Sequence, residues 1–269
     1  MTLSRRTTLI LRILALTWIT VLVVLPVGTI LWRALSPGLP QFWDWITTPA
    51  AISALQTSLI IVLIVVPLNV LFGVIVSLGL VRGRMPGKNI IQAIVDLPFS
   101  VSPVIVGVSL ILLWGHGGWF GGIESTGFRI IFGLPGMVLA TVFVTLPFIV
   151  REVEPVLHEI GTDQEQAAAT LGANRWQTFR RITLPSIRWG LSYGIALTVA
   201  RSLGEFGAVI MVASGFAGGG QTLTLLVHSR YIDDHNVYGA YAAATLLMVV
   251  AVIVLVIMTT LQKKHEVTR

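Results

Sequence analysis

Apolar residues in this chain come in long unbroken blocks, not in the two-residue alternation of a strand or the striped periodicity of a water-facing helix. Six blocks stand out: residues 9–35, 54–81, 90–114, 134–150, 189–213 and 238–261. Each is near the roughly 20 residues that a helix needs to cross a bilayer core, the fourth being short by about a turn. The pattern predicts six membrane-spanning helices. Internal prolines (Pro26, Pro67, Pro98, Pro103, Pro147) are expected to kink spans, because neighbouring helices in a membrane can re-satisfy the carbonyls they free. The first block follows Ser4-Arg5-Arg6 but is too long for a signal peptide and lacks a small-residue cleavage pattern, so it is read as a retained helix.

Composition agrees with the pattern. Of 269 residues, 55% are hydrophobic and 11% charged. Soluble chains carry roughly 25% charged residues, so too little polar side chain remains for a water-facing surface. The fold class expected is an all-α integral membrane protein. With no cysteine, disulfides and thiolate metal sites are excluded, and no histidine pair among His116, His158, His228 and His235 has metal-ligand spacing. Asp96, just before Pro98, reads as a helix-end cap.

The net charge of +6 matters less than where the positive residues lie. Fourteen fall in the N-terminus, the loop after the second block, the segment between the fourth and fifth, and the tail; only Arg33, Arg129 and Arg230 fall in the opposite loops. The positive-inside rule then predicts a multi-pass plasma-membrane protein with both termini cytoplasmic. The expected division is an N-terminal region with the first span (1–53), a transmembrane domain (54–262) and a short tail (263–269).

Residues 151–188 form the longest polar stretch and face the cytoplasm in this topology. Thr162 or Asp163 is an N-cap candidate, followed by acids in the first turn and a run of alanines. Gly172 is a helix stop, since glycine takes positive φ at little cost. A second short helix is expected from Asn174 to about Leu184–Pro185. Ala168, Leu171, Trp176, Phe179 and Ile182 put apolar groups beside arginines, which suits either a partner's groove or the lipid surface.

The segment "QAAATLGANRWQTFRRITLP" resembles the coupling loop of bacterial ABC importer permeases: Glu-Ala-Ala, three residues, Gly, nine residues, then Ile-x-Leu-Pro. Ala167, Ala168, Gly172, Ile182, Leu184 and Pro185 match that pattern; Gln166 stands at the glutamate position, with Glu165 just before it. "GWFG" (118–121), residues 130–152, 184–209 and 239–247 are similar to sulfate/thiosulfate permeases of the CysW type. The Gly-Glu-Phe/Tyr-Gly element is shared with molybdate-type permeases, which keeps molybdate and tungstate open as alternatives. The resemblance implies a type I ABC importer permease fold. It implies a second, CysT-like permease, two copies of an ATPase subunit that binds ATP and magnesium, and an extracytoplasmic sulfate-binding protein.

Nothing in the chain supplies ATP hydrolysis. The glycine-rich stretch 215–220 lacks the lysine of a phosphate-binding loop and reads as an outward loop. The paired carboxylates and nucleophile–base spacings of a membrane-embedded enzyme are also missing.

One charged pair lies within the fifth block. Arg201 is 12 residues past Trp189, roughly 18 Å along a helix and so near mid-membrane, and Glu205 is one turn further. Charge at that depth costs about 2.5–3.5 kcal/mol per residue on insertion scales. The two either neutralise each other in the bundle interior or line or gate an anion route, with Gly204 and Gly207 permitting close approach or a bend. A third possibility is a proton relay in an ion-coupled secondary transporter, although no internal repeat of the kind such transporters carry is evident.

Overall fold

Two of the helical rods contain a widened π-helical turn just before a Leu-Pro pair, and the reason is the proline. The structure, a computed structural model, describes residues 5–83, 86–127, 129–215 and 220–266. α1 (Arg5–Ile19) runs through π-helical residues Thr20–Val24 into α2 (Leu25–Leu35), which starts at Leu25-Pro26. The Leu25 N–H donates to Thr20 O, five residues back. Proline lacks an N–H and its ring crowds the carbonyl four residues earlier, so the wide turn lets the helix absorb it without breaking.

α3 (Leu39–Ile46) is short, and α4 (Pro49–Arg82) is a 34-residue helix that begins at a Thr48 cap accepting the Ala51 N–H. α5 (Lys88–Ser100) and α6 (Pro103–Trp114) meet at a bend of 113°. The continuous third span expected over 90–114 is therefore two helices: Val101 is extended (φ −101°, ψ 136°) and ends α5, and Pro103 occupies the first position of α6, which its fixed φ suits. α7 (Leu134–Ile160) passes through both Pro147 and Pro155 and extends well beyond the expected end at 150. α8 (Asp163–Thr170), α9 (Arg175–Thr178) and a π-helical stretch Phe179–Thr183 lead into α10 (Leu184–Leu203). α11 (Gly207–Val212), α12 (Leu223–His228), a π-helical turn Ser229–Asp233 and α13 (Val237–Glu266) complete the chain. No strand occurs among the described residues.

The contacts at each end of the bundle set the crossings. Arg82, at the end of α4, pairs with Glu165 of α8 (3.1 Å), so α4 and α7 both finish at this end. The bent pair α5–α6 must therefore return the chain to the other end, where α7 starts. There the Phe132 N–H donates to Val212 O (2.8 Å), which places the end of α11 beside the start of α7. The interrupted pair α10–α11 thus also traverses the bundle. Four apolar helices are long enough to cross a membrane and the bent pair α5–α6 makes a fifth crossing; with the interrupted pair α10–α11, traced by the end contacts, they correspond to the six hydropathy blocks.

Arg230, which the sequence places in an outer loop, is buried at the end opposite Arg82. Its guanidinium donates to Gly239 O (3.0 Å), Trp45 O (3.0 Å) and Thr48 Oγ1 (2.7 Å), tying the α12–α13 turn to the entry of α4. Desolvation lowers its pKa from the ordinary arginine value, with Asp234 acting in the opposite sense.

Close helix contact fixes the core. Ile149 of α7 is fully buried between Gly73 of α4 and Gly194 of α10. A Cβ on Gly73 would lie 2.5 Å from Ile149 Cγ2. Backbone packing at small residues is how membrane helices gain dispersion contact where no water is available to drive burial. Gly73→Val is expected to lower the thermal stability of the solubilised protein by about 1–3 kcal/mol through overpacking. Gly28→Val, where nothing lies within 4 Å, is the control expected to change little. Equal melting temperatures for the two variants would contradict this packing.

Candidate functional site

Two places carry the chemistry expected from the sequence: the loop between α7 and α10, and the break between α10 and α11.

In the loop, α8 ends in a Schellman motif. The Ala173 N–H donates to Ala168 O (3.0 Å) and the Gly172 N–H to Ala169 O (3.0 Å), with Gly172 at φ +82°. Ala168 is buried against the loop's interior, while Gln166, Ala167, Leu171 and Gly172 face outward. Thr162 occupies the cap position of α8 without making a cap bond; its hydroxyl accepts from the Gln166 amide instead (2.9 Å). α9 opens with a full capping box, the Asn174 side chain accepting the Gln177 N–H and the Gln177 side chain accepting the Asn174 N–H. The second helix does not stop at Leu184–Pro185. It widens at Phe179–Thr183, where the Leu184 N–H reaches back to Phe179 O, and continues as α10. Ile182 and Leu184 are half-buried along this continuous rod and Pro185 is exposed.

Glu165 and Gln166 have different surroundings. Glu165 Oε2 pairs with Arg82 and Oε1 accepts from Thr183 Oγ1 (3.0 Å), while Arg82 also donates to Gly161 O. The Glu165 carboxylate therefore bolts α8 to α4 and to the root of α10. Leu171 (88% exposed) and Trp176 (67%), the latter stacked on Phe179 at 5.7 Å between ring centroids, flank the Gly172 elbow and form a largely exposed apolar tip.

At the break, α10 ends at Leu203, and Gly204 (φ −91°, ψ 4°) leaves the helix. Arg201 and Glu205 do meet, Arg201 Nη2 to Glu205 Oε2 at 2.7 Å, but not as neighbours on one helix. Glu205 lies in the interruption. Its other carboxylate oxygen accepts the Ala208 N–H (2.8 Å) at the start of α11, and its backbone carbonyl accepts from Thr224 Oγ1 (2.8 Å). The glutamate thus serves as counter-ion and as cap of the half-helix that follows. Such caps are what allow a helix to be interrupted at membrane depth. Burial is unequal: the Glu205 side chain is 1% exposed and that of Arg201 34%. Gly207 packs against α6, where an added Cβ would stand 3.0 Å from Pro103 Cβ. A cavity of about 390 Å³ beside the break is lined by Leu203, Phe206, Val227, Leu247 and Met248 among others. Its walls are apolar and neither charged residue lines it, so it does not suit an anion.

Comparison with known proteins decides the family. Residues 69–265 match the family described as the inner membrane component of binding-protein-dependent transport systems. The chain belongs to this family. As such a component, it is 45% identical over 234 residues to the sulfate transport system permease protein CysW of Synechococcus elongatus, covering 87% of this chain and 82% of that one. Its identity to Escherichia coli CysW is 40% over 227 residues (84% and 77% covered), and to E. coli CysT 32% over 251 residues (93% and 90% covered). In fold it superposes on a bacterial alginate ABC transporter chain with a TM-score of 0.76 at 18% identity, over 97% of this chain and 96% of that one. The inward-facing methionine ABC transporter MetNI matches with a TM-score of 0.58 at 22% identity, over 79% and 93%. This transport component therefore has the all-helical permease fold of ABC importers, and it is a multi-pass membrane protein.

The structure brings Glu165 to Thr183, next to Ile182 and Leu184 in the chain, at the root of the loop, and Arg201 to Glu205 at the break. It leaves Gln166, Ala167 and Gly172 exposed on the outside of the loop. Sequence reasoning missed Arg82, which was read only as a loop charge. It also read Asp96 as a cap, whereas Asp96 lies inside α5 and pairs across helices with Arg151 of α7 (3.0 Å). An alternation of opposite charges on helices that later pack together is a signal only once the pairing of helices is known. Of the glycine-rich stretch 215–220, residues 216–219 lie outside the described residues.

Proposed function

We propose that this permease is a pore-forming subunit of an ATP-driven importer that carries sulfate or thiosulfate from an extracytoplasmic binding protein into the cytoplasm. The observation that carries the reading is the 45% identity to a sulfate permease over 82% of that protein's length. Similarity to CysT over nearly the whole chain supports a partner permease of related fold. The outward apolar tip at Leu171 and Trp176 supports a docking site for an ATPase subunit, two copies of which would hold the ATP and magnesium. In this reading the Arg82–Glu165 end, with both termini, faces the cytoplasm, in accord with its excess of basic residues. α8 and α9 pass the ATPase's movement to α4 and α10 through the Glu165 contacts, and the Arg201–Glu205 pair lies on or beside the anion's route.

The test is uptake of radiolabelled sulfate by vesicles containing the permease with its partner permease, ATPase and binding protein. ATP-dependent accumulation that thiosulfate inhibits is expected. Accumulation of molybdate in preference to sulfate would move the substrate to the molybdate class. Uptake driven by a proton gradient without ATP would overturn the importer reading.

A further inference from the structure

The root of the loop holds a concave polar site distinct from the coupling tip and from the Arg201–Glu205 break. It has a volume of about 370 Å³ and is lined by Gln164 of α8 and by Arg181, Pro185, Ser186, Arg188 and Trp189. The last five sit on the rod that joins the π-helical stretch to α10. Arg181 and Arg188 are seven residues apart, two turns along one face and roughly 10 Å along the axis. No carboxylate lines the site, and neither arginine has an ion-pair partner among the described residues. Arg188 instead lies over the Trp189 ring, 5.2 Å from its centroid, which fixes a long side chain beside the concavity. The Ser186 hydroxyl donates to Ile182 O (2.7 Å), leaving its oxygen lone pairs and not its proton toward other groups, so the two guanidiniums are the charged donors in the lining, with the Gln164 amide and the Trp189 indole N–H as neutral ones.

Position narrows the ligand. Trp189 begins the apolar run of α10, and Tyr193, one turn on, is exposed on the same side. Exposed Trp and Tyr at the start of an apolar span mark the headgroup level of a bilayer. Two unpaired guanidiniums there, just outside the hydrocarbon, face the depth at which lipid phosphates lie. Arginine's planar donor set suits a tetrahedral oxyanion, donating to two of its oxygens at once.

We propose that this pocket binds a tetrahedral oxyanion group between Arg181 and Arg188. The group comes either from the phosphodiester of an anionic lipid or from a free dianion such as sulfate on the side to which the loop projects. An occupant would bridge α8 to the root of α10, on the opposite flank from the Glu165 clamp, and so set how firmly the loop is held.

The experiment uses the assembled transporter complex, wild type and Arg181→Gln/Arg188→Gln, with Arg181→Lys/Arg188→Lys as the charge-keeping control. In one arm, native mass spectrometry counts phosphatidylglycerol and phosphatidylcholine retained after titration of each. In the other, equilibrium binding of radiolabelled sulfate is measured in discs of phosphatidylcholine alone. The expected result is a loss of about tenfold or more in one arm for the glutamine variant, as fits removal of two charge-assisted partners, with partial retention by the lysine variant. Loss in the phosphatidylglycerol arm assigns the lipid, and loss in the sulfate arm assigns the free anion. Wild type and glutamine variant equal in both arms would overturn the proposal. So would failure of the glutamine variant to assemble with the ATPase while its lipid and sulfate binding stay unchanged, since the arginines would then serve a protein contact. Both side chains are at least partly exposed and unpaired, so the variants are expected to fold; unchanged melting temperature checks this.

Discussion

Arg201→Met is expected to reduce the folded yield of the permease far more than Glu205→Gln does. The two residues form one ion pair, but they are not equally buried. Removing Arg201 strands a carboxylate that is 1% exposed. Breaking a buried pair this way costs about 3–5 kcal/mol. Removing the charge of Glu205 leaves a guanidinium that is one-third exposed, and glutamine keeps an oxygen to accept the Ala208 N–H that starts α11. The double variant Arg201→Met/Glu205→Gln should recover yield, because neutral groups often replace a buried pair without loss. Its transport separates the two roles. If the pair only neutralises itself and holds the break, uptake per assembled complex returns with the yield. If Arg201 attracts the anion, yield returns and uptake does not, and that is the expected outcome. The measurement is ATP-driven sulfate uptake normalised to assembled complex. Full uptake by the double variant would remove Arg201 from the pathway, and equal yields for the single variants would contradict the asymmetry of burial.

Gly172→Asp should abolish ATP-driven uptake while leaving the permease in the membrane at a normal level. Gly172 sits at φ +82° and an added Cβ would meet nothing within 4 Å in the chain. The intramolecular penalty is therefore conformational alone, about 1–2 kcal/mol for an ordinary residue and less for Asp or Asn, which visit this region more readily. A loss beyond that must come from what the elbow touches, where an unpaired charge beside the Leu171–Trp176 tip would be buried without a partner. Gly172→Asn separates the terms, since it matches Asp in size and backbone tolerance without the charge. Expected uptake is near zero for Asp and intermediate for Asn, with co-purification of the ATPase weakened in the same order. Normal uptake by Gly172→Asp in reconstituted vesicles would show that the elbow is not the coupling contact.

These variants probe features of unequal legibility. The helix stop at Gly172 and the start of the second helix at Asn174 were readable because each depends on neighbours in sequence: a glycine that can take positive φ, and a side chain three residues from the N–H it accepts. The contact between Arg201 and Glu205 was readable from their four-residue spacing, but its setting was not. Spacing assumes an unbroken helix, and the break at Gly204 depends on Thr224 and α6 supplying contacts from far along the chain.

The membrane class, the six apolar blocks and the permease family were all legible in the chain before any packing is considered. Hydropathy is a property of local composition, and a bilayer demands apolar length whatever the helices later pack against. Tertiary structure alone decided which crossings are continuous. Pro67, Pro147 and Pro155 stay inside helices, whereas the chain breaks at Val101–Ser102 and at Gly204–Phe206. Whether a helix survives a proline or glycine depends on whether the freed N–H and C=O groups find partners. Those partners come from other elements, as when Thr224 takes the Glu205 carbonyl and Phe132 the Val212 carbonyl. The same holds for Arg82 and Arg230: a charge in a loop reads as solvated until the packing of distant helices brings it to Glu165 or to the carbonyls of Trp45 and Gly239, as it brings Asp96, read as a helix-end cap, to Arg151.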